Sequence, residues 1–144
     1  MTRRDQVARI GLVLMALSGV VVGAWAEFAP RSFYDDFPGG GRHWVSVDGP
    51  FNEHLVRDVG ALNLALAVVA AAAAITLTTW LVRTAAVSAL VYSVPHLVYH
   101  LRHLDHYGSS DKIGNAGSLS LAVLLPLVVL VAYRTGRRRP ETPR

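Results

Sequence analysis

Residues 59–81 read VGALNLALAVVAAAAAITLTTWL and contain no charged side chain. A helix needs roughly 20 apolar residues to cross the hydrocarbon core of a bilayer, with about 17 as the lower limit. This segment meets that requirement, and three others do so at 10–26, 84–101 and 117–133. The sequence therefore predicts an all-α membrane protein. We expect one domain, a four-transmembrane-helix bundle with a long outer loop between its first and second helices.

Composition supports the membrane assignment. Hydrophobic residues make up 52 % of the 144 residues, and the charged residues cluster between the apolar segments. The net charge is +4, but most basic residues flank apolar segments, which fits membrane orientation better than a phosphate-binding face. We therefore expect the lipid bilayer, and not nucleic acid, as a partner. The absence of cysteine excludes disulfides and thiolate metal sites.

Small residues predict where helices pack closely. Ser18, Gly19 and Gly23 follow a small-xxx-small spacing in the first apolar segment, and alanines fill 70–74 in the second. Such residues allow helix backbones to approach closely in lipid, where the hydrophobic effect does not drive helix association.

Histidines are confined to the predicted outer side, and they form a stripe in the third segment. At about 100° per residue, His96, His100 and His103 lie within about 60° of one another. Tyr92 and Tyr99 lie beside them, whereas the opposite face is aliphatic. Ionisable residues in membrane helices normally face the bundle interior or a water-filled cavity, so this stripe is a candidate site.

The start of the second helix offers partners for this stripe. His54 and Asp58 share a face at i,i+4, and Glu53 and Arg57 form a second such pair. A short turn makes the second and third helices antiparallel neighbours, so we expect these residues at the depth of the histidines, around one outward-facing cavity. The candidate metal ligands are His54, Asp58, His96, His100 and His103, and the candidate ligand-binding residues are Glu53, Arg57, Tyr92 and Tyr99.

Several occupants suit such a pocket. Three histidines, or two histidines and a carboxylate, can bind Zn, Fe or Cu with an open position. A haem, a quinone or a lipid headgroup are alternatives, as are histidines that merely form hydrogen bonds at a hydrated helix end.

The leading interpretation is a membrane protein that binds a metal or small ligand, as a redox accessory. Alternatives are a structural or accessory subunit of a membrane complex, with another membrane protein or a second copy as partner, and a lipid- or quinone-modifying enzyme with a histidine as general base.

Short motifs suggest a family resemblance. The segment 57–62, RDVGAL, opens an apolar helix after a polar loop and resembles small four-helix bacterial membrane proteins of the DoxX-like and DUF4345-like kind. The segments 31–34, 52–54, 57–58 and 95–100 together resemble uncharacterised actinobacterial membrane proteins. The resemblance implies the four-helix layout over residues 8–133, and redox or quinone processes are linked to some DoxX-like members.

The first apolar segment also resembles a secretory signal peptide, because Ala24-Trp25-Ala26 is an A-x-A pattern before Glu27. We expect the segment to stay attached, since its apolar run exceeds the usual length of about 7–15 residues and its glycines suit helix packing. The intact mass of membrane-extracted protein should include residues 1–26. A chain that begins at Glu27 would contradict this expectation.

The distribution of basic residues predicts the topology in the plasma (inner) membrane. Nine of the fourteen basic residues lie in the N-terminal tail, at Arg83 or in the tail 134–144, and five lie on the other side. The positive-inside rule then places both termini in the cytoplasm.

Reporter fusions after Gly40 and after Ser110 should read as external, and a C-terminal fusion as cytoplasmic. An external C-terminus would overturn the assignment.

Overall fold

A computed structural model describes residues 2–134, and within this range the chain is α-helical with no strand. Four long helices form a bundle, and one short helix follows the first of them. The helices are α1 (Arg3–Phe28), α2 (Pro30–Asp36), α3 (Glu53–Thr76), α4 (Thr79–Arg102) and α5 (Ser109–Arg134). The predicted fold class, an all-α four-helix bundle, is confirmed. The basic segment 135–144 of the predicted cytoplasmic tail lies outside the described residues.

Four of these helices, α1, α3, α4 and α5, are long enough and apolar enough to cross a membrane. The shorter ones have 24 residues. At about 1.5 Å per residue this corresponds to about 36 Å, which exceeds a hydrocarbon core of about 30 Å. Each of the four helices is therefore longer than the hydrocarbon core requires.

The helices begin earlier than the apolar segments that predicted them. The α1 helix starts at Arg3, where a capping box joins Thr2 and Asp5, and α3 starts at Glu53, where the Asn52 side chain accepts a hydrogen bond from the Leu55 amide at 3.1 Å. Such capping groups satisfy backbone amides that have no partner within the helix. The apolar segments thus predicted only the part of each helix that can lie in the hydrocarbon core. The helices α1 and α3 begin earlier, in polar sequence, because capping residues stabilise their first turns.

The turn between α3 and α4 lies at Leu77 and Thr78, which corrects the prediction that placed it around Arg83. Leu77 takes a left-handed conformation with φ of 48°, and Arg83 lies within α4. The turn is hidden in the sequence because apolar residues continue across it, through Trp80 and Leu81. We call this end of the bundle the turn end, and the opposite end, where residues 29–52 and 103–108 connect the helices, the loop end.

The closest helix contact joins α1 to α3. Gly19 and Gly23 of α1 lie against the backbone of α3: a Cβ atom at Gly19 would be 2.9 Å from the Asn63 carbonyl oxygen, and one at Gly23 would be 2.9 Å from that of Gly60. Close approach of this kind strengthens dispersion contacts in lipid. The predicted packing role of these small residues is confirmed.

The other helices complete a ring in the order α1, α3, α4, α5. The α5 helix packs against both α4 and α1, whereas α3 and α4 contact each other less extensively than α1 and α3 do. At the turn end a buried cluster closes the bundle, and the Tyr133 hydroxyl donates a hydrogen bond to the Leu77 carbonyl there. The cluster consists of Ala8, Leu12, Ala73, Ala74, Val82, Ala85, Ala86, Val129 and Tyr133.

At the loop end, residues 29–52 fold back over the helices. Phe33 of α2 and Trp44 of the following loop are both buried, and Phe37 lies between them, with ring centroids 4.7 Å from Phe33 and 6.3 Å from Trp44. Trp25 of α1 contacts Phe33 edge-on at 5.9 Å. The long loop is therefore a packed part of the fold.

Gly60 provides a test of the α1–α3 contact. A Cβ atom at this position would lie 2.5 Å from the Glu27 backbone nitrogen, and backbone cannot move aside as a flexible side chain can. Gly60→Ala should therefore destabilise the protein by about 2 kcal/mol or more, the range for overpacking. Thermal unfolding in mild detergent, followed by circular dichroism, measures the change.

Gly117→Ala is the matched control, because Gly117 lies within α5 and a Cβ atom there would meet no atom within 4 Å. It should leave stability unchanged or raise it by up to about 1 kcal/mol, the helix-propensity difference. Equal stability of the two variants would show that α1 and α3 do not approach as described.

Candidate functional site

The loop end contains a cavity of about 480 Å³, within the range of about 300–1,000 Å³ that is usual for ligand sites. Segments from every helix and from the long loop contribute to its wall. The apolar lining residues are Val22, Phe33, Phe37, Trp44, Val45, Leu55, Val56, Val59 and Leu119. The lining residues that carry a polar side-chain group are Asp48, Asn63, Tyr92, His96, Tyr99, His100, Asn115 and Ser118.

The α4 helix supplies the histidines and tyrosines of the wall. The His96 ring stacks on Tyr92 with centroids 5.4 Å apart, and it meets His100 edge-on at 4.7 Å. Tyr99 contacts His100 edge-on at 5.5 Å. Four residues of the predicted stripe, Tyr92, His96, Tyr99 and His100, thus lie in one cavity wall.

His54 and Asp58 do not join them, and the prediction of one shared cavity is wrong for this pair. They pair with each other at 3.4 Å, and their side chains are 88 % and 61 % exposed. The cause is the rotation of α3: Val56 faces the cavity, and at about 100° per residue His54 and Asp58 both lie about 160° away from it. The i,i+4 spacing correctly placed the two on one face, but that face points outward.

His103 also lies outside the cavity. It follows the last residue of α4, and its Nδ1 lies 2.7 Å from the Tyr99 carbonyl oxygen while its ring stacks on Tyr99 at 4.2 Å. The helix ends at Arg102, so the angular prediction for the stripe does not extend to residue 103.

Glu53 and Arg57, predicted as ligand-binding residues, are absent from the cavity wall. Their side chains form an ion pair at 2.9 Å. The Arg57 guanidinium also donates a hydrogen bond to the Glu27 carbonyl at the end of α1. This arrangement joins the start of α3 to the end of α1. The Arg57 side chain therefore stabilises the fold and does not face the cavity.

A metal site is not assembled from the candidate set. Among residues 2–134, no three histidine, aspartate or glutamate side chains are grouped so that they could hold a metal ion. His96 and His100 are neighbours, but His54 and Asp58 lie on the far side of α3. Since a protein site for Zn, Fe or Cu normally takes at least three ligands, the described geometry does not favour one.

A polar cluster around Tyr107 fixes the long loop to α4. The Tyr107 hydroxyl lies 2.9 Å from the Trp44 carbonyl oxygen and 3.2 Å from Oδ2 of Asp48. Nδ1 of His100 is 3.3 Å from the same hydroxyl. Burial raises the pKa of the Tyr107 phenol, and the negative charge of Asp48 increases the shift, so the hydroxyl remains a donor.

A second connection joins the loop to α5. The Trp44 indole donates a hydrogen bond to Asp111 at 3.0 Å, and the Arg42 guanidinium lies 3.3 Å from the same carboxylate oxygen. Together with the Tyr107 cluster, this contact holds Trp44 and Asp48 over the cavity.

Two polar atoms near the cavity have no hydrogen-bond partner among the described residues. Oδ1 of Asn115 and Oδ1 of Asp48 are both buried, and Asn115 as a whole is 3 % exposed. A buried polar group without a partner costs about 1–3 kcal/mol, so such groups mark places where a ligand or water is expected.

A smaller cavity of about 100 Å³ lies deeper in the bundle. Asn63 and Tyr92 line both cavities, and the Asn63 amide nitrogen lies 3.3 Å from the Tyr92 hydroxyl. Ser93 contributes a buried hydroxyl without a partner among residues 2–134. This space suits a few water molecules at most.

Asp48, Tyr107 and Asn115 were missed by the sequence reasoning. Asp48 and Tyr107 lie in connections between helices, where periodicity carries no information, and Asn115 precedes the apolar part of α5. The rotation of α3, in contrast, had a signal: Val56, Gly60, Asn63 and Ala67 follow helical spacing and face inward.

The α4 wall, the Tyr107 cluster and the unpartnered Asn115 together define the candidate site. Its geometry suits an organic molecule better than a metal ion. The predicted resemblance to DoxX-like and DUF4345-like proteins gains no support from known proteins. Comparison of the chain with protein-family models, with curated proteins and with solved structures finds no match.

Proposed function

We propose that the protein binds a small hydrophobic molecule that carries one polar group and that reaches the cavity from the lipid phase. The observation that carries this proposal is the cavity of about 480 Å³ between four apolar helices, with mostly apolar walls and unpartnered polar groups. Quinones and lipids with small headgroups belong to this chemical class. In the topology proposed from the basic residues, the cavity lies in the outer half of the plasma membrane.

Access from the lipid is supported by the exposure of the cavity wall. Leu55 is 60 % exposed and Tyr99 is 46 % exposed, although both line the cavity. They belong to α3 and α4, which join in a tight turn at one end and pack less extensively than α1 and α3. We therefore propose that a ligand enters from the lipid between these two helices at the loop end.

The polar groups determine what the ligand must offer. The His96 ring has no hydrogen bond among residues 2–134, and the Asn115 carboxamide leaves a buried oxygen unused. An imidazole and a carboxamide each present a donor and an acceptor. A hydroxyl, carbonyl or amino group on the ligand would satisfy them, while the rest of the molecule packs against Val56, Val59 and Leu119.

Binding is preferred over the other interpretations for geometric reasons. A lipid- or quinone-modifying enzyme with a histidine as general base would need a nucleophile beside that histidine, and the hydroxyl next to His100, that of Tyr107, already contacts Trp44 and Asp48. A redox accessory role is compatible with a quinone ligand and rests on the same cavity. A role as accessory subunit would need a surface for a partner, and among residues 2–134 the cavity is the more defined feature.

Two substitutions on α3 test the proposal. Val59 lines the cavity, and Val59→Trp should fill part of it and reduce co-purifying ligand by about tenfold or more, which corresponds to about 1.4 kcal/mol. Leu62→Trp is the matched control, since Leu62 is 44 % exposed and is not a lining residue. Native mass spectrometry of protein purified in mild detergent, followed by extraction and identification of bound compounds, measures retention.

A second pair tests the polar contact. His96→Ala should lower retention about fivefold, the effect of one lost hydrogen bond of about 1 kcal/mol. His54→Ala should have no effect, because His54 lies on the outward face of α3. The proposal is wrong if the natural protein retains no compound, or if the two tryptophan variants retain it equally.

A further inference from the structure

The cavity wall carries one charged residue of fixed sign, and that residue is acidic. Asp48 lines the cavity with a side chain that is 20 % exposed. Arginine and lysine are absent among the lining residues. Oδ1 of Asp48 is buried without a hydrogen-bond donor among residues 2–134, and Nδ1 of His106 lies 3.7 Å away from it. The electrostatic preference of the cavity is therefore set by a carboxylate whenever the nearby histidines are neutral.

Aromatic rings form much of the remaining wall. Phe33, Phe37 and Trp44 belong to the loop-end segment, and Tyr92 and Tyr99 belong to α4. The face of an aromatic ring is electronegative and attracts ammonium groups, most strongly where water is excluded. Trp44 already has the Arg42 guanidinium 5.9 Å from its ring centroid, and Tyr92 and Tyr99 each stack one face on a histidine, so the remaining faces are those available to a ligand. An open ring face would attract a cation, as the Asp48 carboxylate does.

We propose that the ligand of this cavity is a hydrophobic organic cation, such as a tertiary or quaternary amine with an apolar body; this inference rests on the proposed function. The cation would lie beside Asp48 and the rings of the loop-end segment. Its apolar body would extend along Val56 and Val59. A phosphate or fatty-acid carboxylate would instead be placed beside Asp48 without any basic residue of the wall to balance it, so anionic lipids are disfavoured.

Other titratable groups could oppose a cation. His100 Nδ1 lies 3.9 Å from Oδ2 of Asp48, His106 lies near Oδ1, and His96 contacts His100. Tyr107 donates to Asp48 and remains neutral. A protonated histidine would compete with the ligand for the carboxylate, so the measurement belongs at about pH 8, above the ordinary imidazole pKa of about 6.5.

Two ions of nearly the same shape and opposite charge separate charge from hydrophobicity. Equilibrium dialysis of detergent-solubilised protein should show tetraphenylphosphonium bound at least about tenfold more tightly than tetraphenylborate, a difference of about 1.4 kcal/mol. The Val59→Trp variant, whose cavity should be too small for either ion, measures the partition of both ions into the detergent, and its signal is subtracted. Equal binding of the two ions would overturn the inference.

Substitutions at residue 48 assign the preference to the carboxylate. Asp48→Asn keeps an oxygen that can accept the Tyr107 hydrogen bond but removes the charge, and it should reduce the preference for the cation about tenfold or more. Asp48→Glu should restore most of the preference. Asp58→Asn removes a carboxylate that is 61 % exposed on the outward face of α3, and it should leave the preference unchanged.

The outcomes distinguish the inference from the proposed function. If a neutral compound co-purifies with the natural protein and is lost in Val59→Trp, while the phosphonium ion binds no better than the borate, the cation inference is wrong and the proposed function stands. If the natural protein retains no compound and binds neither ion above the Val59→Trp background, both are wrong.

Discussion

The contact between the backbones of α1 and α3 is the constraint on which the other features depend. Gly19, Gly23 and Gly60 leave no room for side chains between the two helices. With α3 held against α1, Val56 and Asn63 turn toward the bundle axis, and His54 and Asp58 turn outward. The α4 helix, tied to α3 by a tight turn at one end only, contacts α3 less extensively, and the cavity occupies the space between them at the loop end.

The sequence carried enough information for the four helices and for the inward stripe of α4. Apolar length is a direct consequence of bilayer thickness, and a helical period fixes which residues of one helix share a face. Tyr92, His96 and His100 accordingly lie in one wall. Helix ends were less predictable, because capping by Thr2 and Asn52 extends α1 and α3 into polar sequence.

The spacing of residues within one helix could not predict which face of that helix packs against its neighbours, or which loop residues reach the cavity. The rotation of α3 depends on what packs against it, and an i,i+4 pair such as His54 and Asp58 is equally regular on an inner or outer face. Asp48 reaches the cavity because the loop folds back and Tyr107 holds it there, a contact between residues 59 positions apart. Irregular loops follow from such tertiary contacts, not from any local period.

The order of the cavity walls along the chain has a consequence for biosynthesis. The walls on α1, α3 and α4 are made first, and Asn115, Ser118 and Leu119 arrive last, on α5. Until α5 inserts, the nascent bundle presents His96 and His100 on an unclosed groove. Exposing polar side chains to lipid costs free energy. Docking of α5 onto α4 and α1 removes this cost, a contribution that the hydropathy of α5 alone does not include.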